Sequence, residues 1–189
     1  MTITELIKID ILTLRNYFTK LFDLENRILA FNQEQRDAAS NQPYYYQEHS
    51  IAQFIKPDMV CNIYSLIDFW MKELCRYQKE KSKLALGSKD IKGENDLDAY
   101  QKYLTKVAAV DLNAVKNSYE SLQSLRKVRK KFIHDGGHIL DNSDTTISNI
   151  KGVRLAGSLI VIDESFIWES LKHAEVYLCA IAQNMADGR

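Results

Sequence analysis

The chain has 189 residues with 25 Lys and Arg against 25 Asp and Glu, so its formal net charge is zero, and 46% of it is hydrophobic. That balance excludes a polycationic DNA coater or a polybasic membrane binder, both of which need a large positive excess, and the apolar content excludes a disordered chain. The length suits one folded domain over residues 1–189, and seven glycines with two prolines point away from turn-rich sandwiches toward long helices.

Ile7, Leu14, Leu21 and Ile28 recur every seven residues, with Ile11, Phe18 and Leu24 filling the same side, which predicts one amphipathic helix over 3–38. Glu5 and Asp10 interrupt its apolar pattern, unlike the core of a signal peptide, and no stretch reaches 18 uninterrupted apolar residues. A cytoplasmic protein with no membrane association is therefore expected. Residues 40–56, with Pro43 and the run Tyr44-Tyr45-Tyr46, read as a connector whose rings pack on the bundle. Pro57 fits the first turn of a second helix reaching about Lys79, with Met59, Ile63, Leu66, Ile67, Trp70, Leu74 and Tyr77 on its inner side.

The polar stretch 81–96 holds two of the glycines and reads as a loop, followed by a short helix over 97–109. Asp111 is placed to cap the next helix, which runs to about His134 and stops at Gly136-Gly137. Ile147, Ile150, Val153 and Leu155, then Leu159 to Ile162 around Ala156-Gly157-Ser158, predict a small β-hairpin. Asp163 or Ser165 caps a last helix whose inner face is Phe166, Ile167, Leu171, Ala174, Leu178, Ile181 and Met185. The fold class is mainly α: a bundle of four to five helices with one β-hairpin before the C-terminal helix. Cys61, Cys75 and Cys179 are odd in number and lack ligand spacing, so neither a disulfide framework nor a structural metal is expected, and no cofactor motif is present.

The chemistry concentrates in LQSLRKVRKKFIHDGGH over 122–138. The interval 121–140 carries five cations (Arg126, Lys127, Arg129, Lys130, Lys131) and one anion (Asp135), a local net of five minus one, or +4, in a neutral chain. At about 100° per residue, Arg129 falls in the middle of the apolar arc of Val115, Tyr119, Leu122, Leu125, Val128, Phe132 and Ile133, while Lys127, Lys130 and Lys131 fall opposite. A guanidinium on a core-facing stripe needs a partner, a wet pocket, a subunit interface or a ligand. His134, five residues on, diverges from Arg129 by about 140° on a regular helix. The two side chains meet only if the last turn unwinds or a second subunit supplies one of them.

Arg129-Lys130-Lys131-Phe132-Ile133-His134, an R-x4-H ending a long helix before a glycine turn, resembles the signature of HEPN domains (higher eukaryotes and prokaryotes nucleotide-binding). The likeness spans roughly 50–185: IYSLIDFWMKELC, YLTKVAAVDLNAV, LRKVRKKFIHDGGHI and the closing hairpin plus helix follow the order of elements in many bacterial HEPN proteins. The resemblance implies a metal-independent endoribonuclease of toxin or abortive-infection type. In it a homodimer brings both motifs into one cleft on single-stranded RNA, with an antitoxin or defence-system protein as a further partner. Carried over by position, His134 is the general acid/base and Arg129 the phosphate clamp. The neighbouring cations Arg126, Lys130 and Lys131 are candidates to bind RNA phosphates; Glu73, on the edge of the second helix's apolar face, reads either as an acid orienting Arg129 or as a surface acid, and His138, just past the turn, either assists at the cleft or is a loop histidine. Lys130 stands where many members have a small polar residue, and Gly136 where some toxins carry a tyrosine modified by their antitoxin. A non-catalytic HEPN module for RNA or nucleotide binding, dimerisation or adaptor function is therefore the alternative expectation.

Overall fold

The computed structural model describes residues 1–38, 44–139 and 146–186, and their side chains except those of 32–38 and 44–52. The first helix, α1 (Ile3–Ala38), has the predicted extent. Its start is fixed by a reciprocal cap: the Glu5 amide donates to Thr2 Oγ1 (3.2 Å) and the Thr2 amide to Glu5 Oε2 (2.7 Å). Ile7, Ile11, Phe18 and Phe22 are buried. Leu24, expected on that side, is exposed, because seventeen residues after Ile7 it has rotated about 100° away from the core.

The second helix, α2, corrects the sequence reading. It spans Tyr44–Lys81 with Pro57 inside it, so the expected connector is helical from Tyr44 and Pro57 does not open the helix. Proline removes one helical donor and crowds the preceding turn. Tertiary packing offsets this: Ile55 is buried and Lys56 Nζ lies 3.0 Å from Glu25 Oε1 on α1, holding the extra turns in place. Farther along, Trp70 Nε1 donates to Asp10 Oδ2 at 3.0 Å, so α1 and α2 run antiparallel in a fixed register. The tyrosine side chains at 44–46 and Pro43 lie outside the described residues. Met59, Ile63, Ile67, Trp70 and Leu74 are buried as expected, whereas Tyr77 is exposed.

A 3₁₀ turn (Ser88–Asp90) sits in the polar stretch, and Asn95 caps α3 (Asp96–Lys102) by accepting the Asp98 amide at 3.1 Å. α3 continues as a π-helical turn, Tyr103–Val107, within the expected 97–109. Asp111 Oδ1 accepts the Asn113 amide (2.9 Å), starting a 3₁₀ turn that feeds α4 (Lys116–Asp135). α4 ends at the glycines: Gly136 is left-handed (φ +59), and the Gly137 amide reaches back to the Lys131 carbonyl at 3.1 Å.

Past this turn the chain joins a small sheet. β1 (Val153–Ala156) and β2 (Leu159–Ile162) pair antiparallel, Val153 opposite Ile162, around a two-residue turn in which Gly157 (φ +61) supplies the required positive φ. Ile139 donates to Ser158 O and Ile160 to Gly137 O, both at 2.8 Å, tying the hairpin to the C-terminal end of α4. The first strand is shorter than expected. Ile147 and Ile150 lie in turns that close through Ile150 N to Ile147 O and Val153 N to Ile150 O, and they pack on the core without entering the sheet. Residues 140–145, where the expected hairpin region began, lie outside the described residues.

α5 (Glu164–Ala186) follows Asp163, whose carboxylate pairs with Arg154 at 2.9 Å, and buries every inner-face residue expected of it. One hydrophobic cluster draws on all five helices and the hairpin, and α2 packs against each of the other four helices. Among the described residues no helix is long and apolar enough to cross a membrane.

The turn after α4 is under tighter steric constraint than the hairpin turn. A Cβ on Gly137 (φ +81) would stand 2.5 Å from the Phe132 ring, whereas one on Gly157 would meet nothing within 4 Å. Gly157→Ala should lose only the backbone term, about 1–2 kcal/mol, and Gly137→Ala should lose more, because Phe132 must also move. Urea unfolding of the two variants measures this; an equal or larger loss at Gly157 contradicts it.

Candidate RNA-binding and catalytic site

The cations of α4 separate by face. Lys127 and Lys130 are exposed. Lys131 is half-buried and pairs with Asp135 at 3.2 Å, so its charge is partly offset within the same turn. Arg126 donates from Nε to Gln123 Oε1 at 3.3 Å along its own helix. Arg129 points inward as the helical angles predict, and its guanidinium carbon lies 4.7 Å from the centroid of the Tyr64 ring on α2. Its Nε is buried without a hydrogen-bond partner, and among the described residues no carboxylate pairs with it. The ring face therefore supplies the attraction that an acid would otherwise supply, about 0.5–2 kcal/mol for a cation over an aromatic ring.

Two residues of this seam were absent from the sequence-based candidates: Tyr64 and Cys61. They belong to a second stripe on α2, Cys61, Tyr64, Asp68, Met71 and Cys75, at alternating spacings of three and four. That stripe meets α3 and α4; Asp68, for instance, accepts from the Tyr100 hydroxyl at 3.1 Å. The 3-4 spacing is readable in sequence, but four of its five members are charged or sulfur-bearing (Asp68, Cys61, Met71 and Cys75), which hides it as a core face. Burial pushes the Cys61 thiol above its ordinary pKa, Arg129 pulls it back down, and Asp58 adds a smaller upward push. Burial likewise raises Tyr64, with Arg126 the foremost opposing charge.

The other sequence candidates scatter. His134 is exposed, and α4 stays helical through Asp135, so the angular gap of about 140° persists and one chain does not bring His134 to Arg129. Ile133, expected on the inner arc, is exposed too, while Phe132 turns under Gly137. Glu73 does not orient Arg129. Its carboxylate pairs with Arg76 at 2.5 Å, and it lies nine residues, roughly 13 Å, along α2 from the Tyr64 ring that Arg129 occupies. His138 is exposed just past the glycine turn, with Nδ1 3.1 Å from Ser158 Oγ, and it lines a cavity between α1, α2, the end of α4 and the hairpin. Among the described residues no group of three or more His, Cys, Asp or Glu side chains is placed to hold a metal ion. Compared with protein-family models, curated proteins and solved structures, the chain matches none of them.

The proximity of Arg129 to Cys61 can be read in solution. Cys75 and Cys179 are buried, and burial pushes the Cys75 thiol up to about 12, which leaves Cys61 as the accessible thiol. Replacing the guanidinium by the neutral Arg129→Met removes the charge that lowers the Cys61 thiol. The pH midpoint of Cys61 alkylation should move upward and its rate near pH 8 should fall. A midpoint that stays put or drops places Arg129 elsewhere.

Proposed function

We propose that the protein is a metal-independent endoribonuclease of HEPN type, acting as a toxin or antiphage effector on single-stranded RNA. The observation that carries this reading is Arg129: a guanidinium seated in the α2–α4 seam with an unpartnered Nε and no paired carboxylate among the described residues, on the most basic helix of a neutral chain. Such a cation retains its charge for an anionic ligand, and a phosphodiester supplies one.

Its chemistry needs two protonation states of imidazole and one fixed cation. A neutral imidazole takes the proton of the ribose 2′-OH as the 2′-oxygen bonds to phosphorus. A protonated imidazole gives its proton to the 5′-oxygen as the P–O5′ bond breaks, leaving a 2′,3′-cyclic phosphate and a 5′-OH. The guanidinium of Arg129 offsets the negative charge that accumulates on the phosphoryl oxygens between those events. Imidazole titrates near neutrality, so both forms are available in the cell. One chain holds Arg129 and His134 on different sides of an unbroken helix, and a two-fold dimer provides the second histidine and closes the cleft around both motifs. Exposed Lys130 and half-buried Arg126 then track the flanking phosphates. The same divergence favours one alternative, a HEPN module that binds RNA or nucleotide without cutting it.

The purified protein should cut single-stranded RNA in EDTA and leave 2′,3′-cyclic phosphate ends. Arg129→Ala and His134→Ala should each lower the rate by about 10²-fold or more with unfolding midpoints near wild type. Salt-sensitive RNA binding without cutting by the wild type selects the binding module instead.

A further inference from the structure

The cavity that His138 lines has a volume of about 460 Å³, within the range of small-molecule sites. It continues the seam that holds Arg129. Seven residues separate Arg129 from Gly136 on α4, and seven separate Tyr64 from Pro57 on α2. Gly136 and Pro57 both line the cavity, so it lies roughly 10 Å along the helix axes from the level of Arg129 and Tyr64. Its walls include Phe132, the exposed His138 and Phe54, the last with two thirds of its surface (66%) in solvent. Into this apolar space face Glu25 and Lys56, paired at 3.0 Å with side chains only 11% and 26% exposed. That pair ties α1 to the early turns of α2 through one carboxylate oxygen and one ammonium N–H; a carboxylate has a second oxygen and an ammonium two further donors, so both groups keep hydrogen-bonding capacity on the cavity wall.

We propose that this cavity receives one unpaired nucleobase, guanine ahead of the others, next to the phosphate held by Arg129; the inference rests on the reading of RNA as the substrate. The base plane stacks against Phe54 and His138, as unstacked RNA bases do on aromatic side chains. On its Watson–Crick edge guanine places two adjacent donors, N1–H and N2–H, toward the Glu25 carboxylate and an acceptor, O6, toward the Lys56 ammonium. Adenine and cytosine offer the carboxylate one amino group, and uracil a single N–H between two carbonyls. Residues on α1 and at the start of α2, outside the R-x4-H segment, thereby set where the RNA is cut.

Two measurements on the full chain test this: binding of guanosine, adenosine, cytidine and uridine 5′-monophosphates followed by NMR, and mapping of cut sites on a mixed-sequence RNA in EDTA. Guanosine monophosphate should bind about tenfold or more tightly than uridine monophosphate, and cuts should fall beside guanines. Glu25→Gln should erase both preferences. Phe54→Ala, a change at an exposed position, should weaken all four nucleotides, which keeps the test valid if the Glu25 variant fails to fold. RNA cut without base preference, or four nucleotides bound alike, overturns the base site and leaves the nuclease standing. A guanosine preference that Glu25→Gln abolishes, in a protein that cuts nothing, overturns the nuclease and supports the site. Absence of both binding and cutting overturns both.

Discussion

The regularity of α4 up to its last residue is the constraint on which the site depends. A helix that frayed at Ile133 or His134 would let the histidine swing toward the arginine; this one is closed by a left-handed glycine, a six-residue return bond to Lys131 and a second glycine pressed on the Phe132 ring. The closure holds Phe132 against the turn and keeps His134 about 140° from Arg129. It also delivers His138 and Ile139 to the hairpin, so the same turn that separates the motif's two residues builds one wall of the adjoining cavity. In the proposed nuclease, a rigid separation of this kind would make a single chain a half-site that a two-fold partner completes.

The second determinant is α2, which every other helix packs against. One of its faces is plainly apolar and meets α1 and α5. The other mixes Cys61, Tyr64 and Asp68 with Met71 and Cys75, and this mixed face receives the arginine. For the proposed function, an aromatic ring in place of an acid changes what Arg129 can bind. A carboxylate against Arg129 would offset its charge, whereas a ring holds it by its face and accepts no hydrogen bond from its Nε. The zero net charge of the chain conceals this arrangement, because acids elsewhere balance a segment that is +4 by itself.

Much of the fold was legible in the sequence because periodicity is a local property. The ends of α1, the glycine stop of α4 and the whole inner face of α5 follow from apolar spacing and turn chemistry within a few residues. Where long-range packing decided, local rules misread the chain. Pro57 looks like a helix start, but the Glu25–Lys56 pair and buried Ile55 carry the helix through it. The inward direction of Arg129 was legible; its partner was not, since Tyr64 is 65 positions earlier in the chain and only the α2–α4 pairing brings it near. Glu73, acidic and near an apolar face, is the partner that the sequence suggests, but Arg76 claims it by the shorter route of one helical turn. The cavity gave no sequence signal at all, being assembled from four separate segments.

The central claim is that two chains complete the site that one chain divides. A dilution series in which RNA-cleaving activity per chain and molecular mass are followed on the same samples tests it most directly. The account predicts that activity per chain falls in step with the dimer fraction and vanishes where the mass is that of one chain. Undiminished activity per chain from a monomer would contradict it.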